Sequence, residues 1–275
     1  MSRPHWSYSQ IACFQRCPLQ YYFRYIAGIP RTTIPANMVL GTAVHAGLAT
    51  YHRAIMHEHE IPFSKVETTY LDSWQTQADN NLIEYTPKHT REELQELGLT
   101  LLRQYAAEEP PTNVRSVEKP LYVPLQTSTG YILEKPLLTI ADLITDSDDG
   151  LVVNEFKTSS RTYSNMEVEQ SLQASCYIHA GEDTWALPTS VRFIIFVKTK
   201  QPKIQRLDTI RDANNSTRVG DIVQGIERAI RVDAFYPNES PMNCTSCSYR
   251  QPCREWGKQE ATKLELLQFS TNGCH

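Results

Sequence analysis

Residues 138–160, LTIADLITDSDDGLVVNEFKTSS, decide the fold. Two apolar runs, 137–144 and 151–156, flank the turn-forming cluster Asp146, Ser147, Asp148, Asp149, Gly150, the local chemistry of two antiparallel strands joined as a hairpin. With the turn centred on Asp148 and Asp149, Asp142 and Glu155 fall opposite each other. Side chains alternate along a strand, so Glu155 and Lys157 share a face, Phe156 points the other way into the core, and Asp142 can join the first two. Such a cluster suits metal-assisted hydrolysis of a phosphodiester. The carboxylates would hold a hard divalent cation, Mg2+ or Mn2+, that polarises phosphate and lowers the pKa of a bound water. Lys157 would position or deprotonate that water, or offset phosphate charge. The plainer alternative is a surface hairpin with a cross-strand ion pair worth roughly a few tenths of a kcal/mol.

Outward from the hairpin, strands are expected at 117–125, 131–134, 137–144 and 151–157, then a helix capped near Ser164 and running over 166–180. VRFIIFV (191–197) is apolar on both faces and suits a central strand covered by helices on each side. A short strand at 204–207 and a helix at 218–231 follow. Toward the N-terminus, Ser7 or Ser9 can cap a helix through Ile11, Phe14 and Cys17, and Pro18 starts a further turn carrying Tyr21, Tyr22 and Tyr25 before Gly28. A helix over 39–57 buries Val44, Leu48, Tyr51 and Ile55, with His45 beside that stripe and His52 two turns on. Helices over 64–82 and 90–107, the latter opening with a Thr90–Glu93 capping box, complete one continuous α-rich block. The fold class is α/β, a small mixed β-sheet flanked by helices, with no internal repeat. The expected organisation is one domain, 1–275: a helical part (1–113), a core (114–235) and a Cys-rich C-terminal part (236–275) that closes on the N-terminal helix.

The chain has 275 residues, 40% hydrophobic and 21% charged, ordinary for a soluble globular protein. It contains no apolar window of about 18 residues and no signal-peptide core at MSRPHWSYSQ, which points to the cytoplasm. A net charge of −4 leaves nucleic acid open as a partner, because metal-site carboxylates add charge that a cation cancels. Lys198, Lys200, Lys203 and Arg206 form either a basic face or a lysine-protected edge strand. Of the seven cysteines, Cys244, Cys247 and Cys253 crowd together, Cys13 and Cys17 lie near the N-terminus, and Cys176 and Cys274 stand apart. The trio reads as metal ligands with a fourth thiolate from Cys17, or Cys13 in reserve. Ligand count fits either zinc or a cubane iron–sulfur cluster.

Taken together, these motifs resemble the RecB-like branch of the PD-(D/E)XK nuclease superfamily, closest to the CRISPR-associated RecB-type exonucleases and the AddAB iron–sulfur nuclease domain. The opening SYSQIACFQRCPLQYYFRY is similar to that branch's N-terminal Cys-Pro helix, and GTAVH (41–45) to its Gly-x-x-x-His motif. The resemblance implies that His45, Asp142, Glu155 and the main-chain carbonyl of Phe156 hold the metal and that Lys157 orients water. QASCY supplies Gln173 and Tyr177 beside the active site. It also implies a 4Fe–4S cluster on Cys17, Cys244, Cys247 and Cys253 that joins the two ends of the fold, where the residues alone leave structural Zn2+ open. Thr139 and Ala141 depart from the glycine and proline that relatives carry ahead of the aspartate. The expected activity is that of a metal-dependent deoxyribonuclease, an exonuclease on single-stranded DNA or DNA ends. The alternative is a non-autonomous DNA-end-binding or nuclease subunit of a helicase–nuclease or CRISPR adaptation complex. His52 and His179 are expected to be structural.

Overall fold

In the computed structural model, which describes residues 3–31, 33–87, 89–212 and 214–257, helix α1 (Tyr8–Arg16) opens on a Ser7–Gln10 capping box. It stops at Cys17, whose extended backbone lets Pro18 begin α2 (Pro18–Tyr21). A π-helical turn follows over Tyr22–Ile26, closed by the Ala27 N–H donating to the Tyr22 carbonyl at 2.8 Å. Next come β1 (Thr33–Pro35), α3 (Ala36–Met56), α4 (Phe63–Asn80), β2 (Leu82–Glu84) and α5 (Arg91–Ala106). The sheet is then laid down by β3 (Val114–Val123), β4 (Leu137–Ser147) and β5 (Gly150–Ser159), and, after α6 (Asn165–Glu169) and α7 (Leu172–Trp185), by β6 (Thr189–Val197) and β7 (Lys203–Thr209). Helix α8 (Asn215–Arg231) and two short helices, α9 (Pro241–Cys244) and α10 (Arg250–Glu255), follow.

The five strands lie in the order β3-β4-β5-β6-β7, antiparallel except for the parallel pair β5 and β6 that α6 and α7 connect. The hairpin turns at Ser147 and Gly150 as its sequence requires. Gly150 has φ +131°, and a Cβ there would collide with the Pro188 carbonyl, so only glycine fits. Residues Val191, Phe193, Ile195 and Val197 face a core shared with α1, α7 and α8, while Ile194 and Phe196 face a second core under α3, α4 and α5. VRFIIFV is therefore the doubly covered strand its composition implies.

Three expectations are corrected, and one element is added. The N-terminal helices are not one block: α1 packs on one side of the sheet and α3–α5 on the other, because each amphipathic stripe needs its own apolar face to cover. The helix expected over 166–180 is broken at Gln170 and Ser171, where Ser171 caps α7 through the Ala174 N–H. Arg211 stabilises that break by donating to the carbonyls of Val168 (3.1 Å) and Ser171 (2.9 Å). Residues 131–134 form no strand, only a single bridge between Gln126 and Ile132. The parallel pair β1 and β2 was not expected, since three residues each, with Leu82 exposed, carry no periodic signal.

The alternation of β3 and β4 inverts at one place. Leu121, Val123, Leu137 and Ala141 face the α7 side, yet Leu143 and Val117 face the α3 side. Because Val117 pairs with Leu143 and Lys119 with Ala141, Glu118 stands directly across from Asp142 at the inversion. Glu118 has φ +51°, a left-handed conformation that costs a non-glycine residue about 1 kcal/mol and tends to be kept at functional sites.

Candidate active site

Asp142 sits where β4 parts from β5: the last paired residues are Leu143 and Asn154. Beyond them the ladder is replaced by the Phe156 N–H donating to Asp142 Oδ2 at 2.8 Å. The other oxygen, Oδ1, lies 3.1 Å from His45 Nδ1 on α3. Both carboxyl oxygens are thus aimed by different elements, one by the backbone of β5 and one by a helix on the opposite face.

Glu155 and Lys157 share the α7 face of β5, as alternation requires, and Phe156 is buried among the α3–α5 residues. The Lys157 ammonium donates to Glu155 Oε1 (2.6 Å) and to Gln173 Oε1 (2.8 Å). Gln173 returns a bond from Nε2 to Glu155 Oε1 at 2.7 Å, and the Tyr177 hydroxyl donates to Glu155 Oε2 at 2.7 Å. Gln173 and Tyr177 lie one turn apart on α7, so one helix face delivers both. Every oxygen of Glu155 therefore has a partner, which is what a carboxylate only 3% exposed needs.

Charge follows from these contacts. Burial alone would raise the Glu155 pKa, but the charge and hydrogen bond of Lys157 hold it below the usual carboxylate value. Asp142 is pushed up by burial and by the Glu155 charge, against the bonds from His45 and Phe156. Burial would depress His45, yet the hydrogen bond and charge of Asp142, with Glu155 behind, raise it to about 9. Burial would likewise lower Lys157, and Glu155 reverses it, so the ammonium persists at neutral pH. Burial and the neighbouring carboxylate keep the Tyr177 phenol protonated, a donor rather than an acceptor.

The sequence did not single out Glu118. Its carboxylate, His45 and Asp142 bring ligand atoms within 4.8 Å of one another, on the wall of a cavity of about 650 Å3. No motif marks it; only its place across from Asp142 could have, and the inverted alternation hides that. The two carboxylates supply the hard oxygens that Mg2+ and Mn2+ take and so fit such a cation, while the imidazole is a donor more usual for Zn2+ or iron.

The remaining sequence-selected residues divide cleanly. Cys17 sits between α1 and α2, and together with Cys247 and Cys253 it packs against the small core of Leu19, Phe23 and Tyr249. The Asn238 N–H lies 3.5 Å from Cys17 Sγ and the Gln20 amide 3.6 Å from Cys247 Sγ. Burial raises the Cys253 pKa, and the charges of Cys17 and Glu239, then of Cys247 and Cys244, add to it. N–H donors on half-buried thiols fit a thiolate-ligated group. Cys13 is buried against Gln20, and Cys176 is buried with a pKa raised to about 12, an inert packing residue. Cys274 lies outside the described residues. His52 stacks on Phe156 at 5.3 Å and its Nε2 meets the Tyr105 hydroxyl at 3.0 Å, while His179 donates to the Pro124 carbonyl at 2.8 Å; both are structural. Arg206 pairs with Glu108 and Lys198 with Asn37, which suits the edge-strand reading of that basic stretch.

The family model of the PD-(D/E)XK nuclease superfamily matches residues 5–254, and the chain belongs to that superfamily. Its fold is similar to the crystal structure of a "Putative exonuclease" from Eubacterium rectale, at a TM-score of 0.57 and 11% identity over 92% of this chain and 88% of that one. The crystal structure of SSO0001 aligns at a TM-score of 0.35 and 11% identity over 84% and 89% of the two chains, too distant to argue from. No curated protein matches the sequence. Among the described residues no helix is long and apolar enough to cross a membrane.

Proposed function

We propose that the protein is a metal-dependent deoxyribonuclease of the RecB-like kind, an exonuclease on single-stranded DNA or DNA ends. The observation that carries this reading is the division of Asp142 between His45 Nδ1 and the Phe156 N–H, at an open sheet edge beside the Glu155–Lys157 pair. His45, Asp142, Glu155 and the Phe156 carbonyl are the metal ligands of this reading, with Glu118 added from its position. The cation, Mg2+ or Mn2+, supplies Lewis acidity and a more acidic bound water. Lys157, charged and braced by Gln173, orients the attacking water and balances phosphate charge. Tyr177 and Gln173 hold Glu155 in place and keep it ionised. His45, charged when paired with Asp142 alone, must release its proton to become a ligand.

Cys17, Cys244, Cys247 and Cys253 are read as ligands of a 4Fe–4S cluster, with structural Zn2+ as the alternative. Either would make 1–275 a single domain joined at its ends. The free thiols among the described residues agree with a reducing, cytoplasmic setting. The test is digestion of end-labelled linear and circular single-stranded DNA with Mn2+, Mg2+ or EDTA, beside Lys157→Ala. Metal-dependent loss of the linear strand alone, absent in the variant, supports the exonuclease. Cutting of both makes it an endonuclease with the same site. No cutting by folded protein rejects the autonomous enzyme in favour of a subunit of a helicase–nuclease or CRISPR adaptation complex.

A further inference from the structure

One face of α3 carries Thr42, His45, Ala46, Ala49, Thr50 and Arg53, and all six line the cavity of about 650 Å3 that holds Glu118 and Asp142. Their spacing, alternately three and one residues apart, is that of a single helical stripe. A helix stripe turned toward the rest of the molecule is normally apolar and packed. This one is polar at both ends with only alanines between, so small side chains leave the cavity open along the helix. Thr69 and Ser73, one turn apart on α4, line it too, and the Thr50 hydroxyl ties the two helices by donating to Thr69 Oγ1 at 3.4 Å.

Arg53 is the cation of this wall that the carboxylate cluster does not use. It stands in the last turn of α3 and is exposed, and among the described residues its guanidinium makes no hydrogen bond or ion pair. Arg103 on the neighbouring α5, by contrast, is held between Glu67 and Glu96. The helix dipole favours a cation at the end of α3 but leaves the five guanidinium donors unspent. At the Glu118 carboxyl, burial and the Asp142 charge raise the pKa, and the charges of His45 and Arg53 oppose them. A divalent cation on the cluster would offset both carboxylates, and Arg53 then stands as surplus positive charge in the cavity. It lies eight residues beyond His45 on α3, about 12 Å along the axis, a longer span than one phosphate group covers.

We propose that this cavity is the track of the DNA strand beside the cut, and that Arg53 binds the phosphate of a linkage next to the reacting one. The proposal rests on the nuclease reading of the carboxylate cluster and deepens it. The planar fork of Arg53 matches two phosphate oxygens at once. Between Arg53 and the cluster, the Ser73 hydroxyl, without a hydrogen-bond partner among the described residues, lines the path. Arg53 is a positioning residue: it fixes the strand so that the reacting linkage meets the metal, and it takes no part in breaking the bond.

Affinity for a labelled single-stranded oligonucleotide in EDTA, where no cleavage occurs, tests it in the full chain. Arg53→Ala should weaken binding about tenfold, as loss of a charged hydrogen bond does, and reduce the salt slope by about 0.7, the share of one phosphate contact on a single strand. Arg53→Lys should keep the slope and most of the affinity. Arg231→Ala, which removes an exposed arginine at the end of α8, should change neither. In Mn2+, Arg53→Ala should act on KM, about tenfold, rather than on kcat, because a linkage that does not react is held equally in ground and transition states. Equal affinity and salt slope in wild type and Arg53→Ala overturn the contact. So does an affinity loss with an unchanged slope, which would be structural. Cleavage keeps the two claims apart. Arg53-dependent binding without cleavage removes the nuclease reading and leaves the contact, whereas cleavage with binding indifferent to Arg53 does the reverse.

Discussion

The carboxylate cluster and the cysteine corner both join segments distant in sequence, but they are held in different ways. At the first, strands of ten or eleven residues and a helix of 21 residues fix each side chain, and Glu155 alone is bound by Lys157, Gln173 and Tyr177. At the second, the thiols sit on or beside helices of four, four and six residues. Helices that short do not persist by themselves. Their support is a small aromatic cluster in which Tyr22 packs against Phe235 and Trp256, and Phe23 against Tyr249. Long elements therefore hold the carboxylate site, while on the proposed reading the cysteine corner depends on the group that its thiols ligate.

That contrast can be broken most sharply at the carboxylates. Asp142→Asn and Lys157→Ala are each expected to lower DNA cleavage by at least about 10^3-fold, the scale of losing a transition-state contact. Their thermal midpoints should stay near that of wild type, as differential scanning fluorimetry would register; a large drop would make the site structural. At the corner the order reverses. Cys244→Ser should cost solubility and thermal stability, together with any absorption near about 400 nm from thiolate-bound iron. A colourless wild type that is stable and active would instead favour zinc.

Two smaller effects sharpen the comparison within the carboxylate site. Tyr177→Phe removes one donor to Glu155 and leaves the ring, and cleavage should fall by about 30-fold, within the range for groups that orient metal ligands. An unchanged rate would reduce Tyr177 to packing. Beneath the site, burial lowers the His52 pKa to about 4 from an ordinary 6.5. The folded state thus keeps this ring neutral while the unfolded chain takes up a proton below pH 6.5. The stability it contributes is present above 6.5 and is lost as pH falls toward 4, by about 2 kcal/mol between pH 7 and pH 5. Urea unfolding at both pH values should show this slope in wild type and a shallower one in His52→Phe.

What was legible in the sequence was what repeats or pairs locally. The hairpin, its alternation and the doubly apolar β6 follow from periods of two, whereas Gln173 and Tyr177 were reached only through the family motif that QASCY resembles. His45 was reached through its motif, since a helix position says nothing of a strand 97 residues away. Glu118 was not legible, because its role depends on an inversion of strand alternation that only the paired strand reveals. The break between α6 and α7 escaped for a similar reason. Ser171 is a local cap signal, but the Arg211 bonds that stabilise the break come from 40 and 43 residues downstream. Long-range pairing, not composition, decided each of these.

The most direct test of the central claim is Mn2+ binding followed by electron paramagnetic resonance, with wild type, Asp142→Asn and Lys157→Ala side by side and cleavage measured on the same samples. Wild type is expected to bind Mn2+ and cut DNA, Asp142→Asn to lose both, and Lys157→Ala to keep the metal and lose cutting. Mn2+ binding by Asp142→Asn equal to that of wild type, or full cleavage by either variant, would contradict the claim.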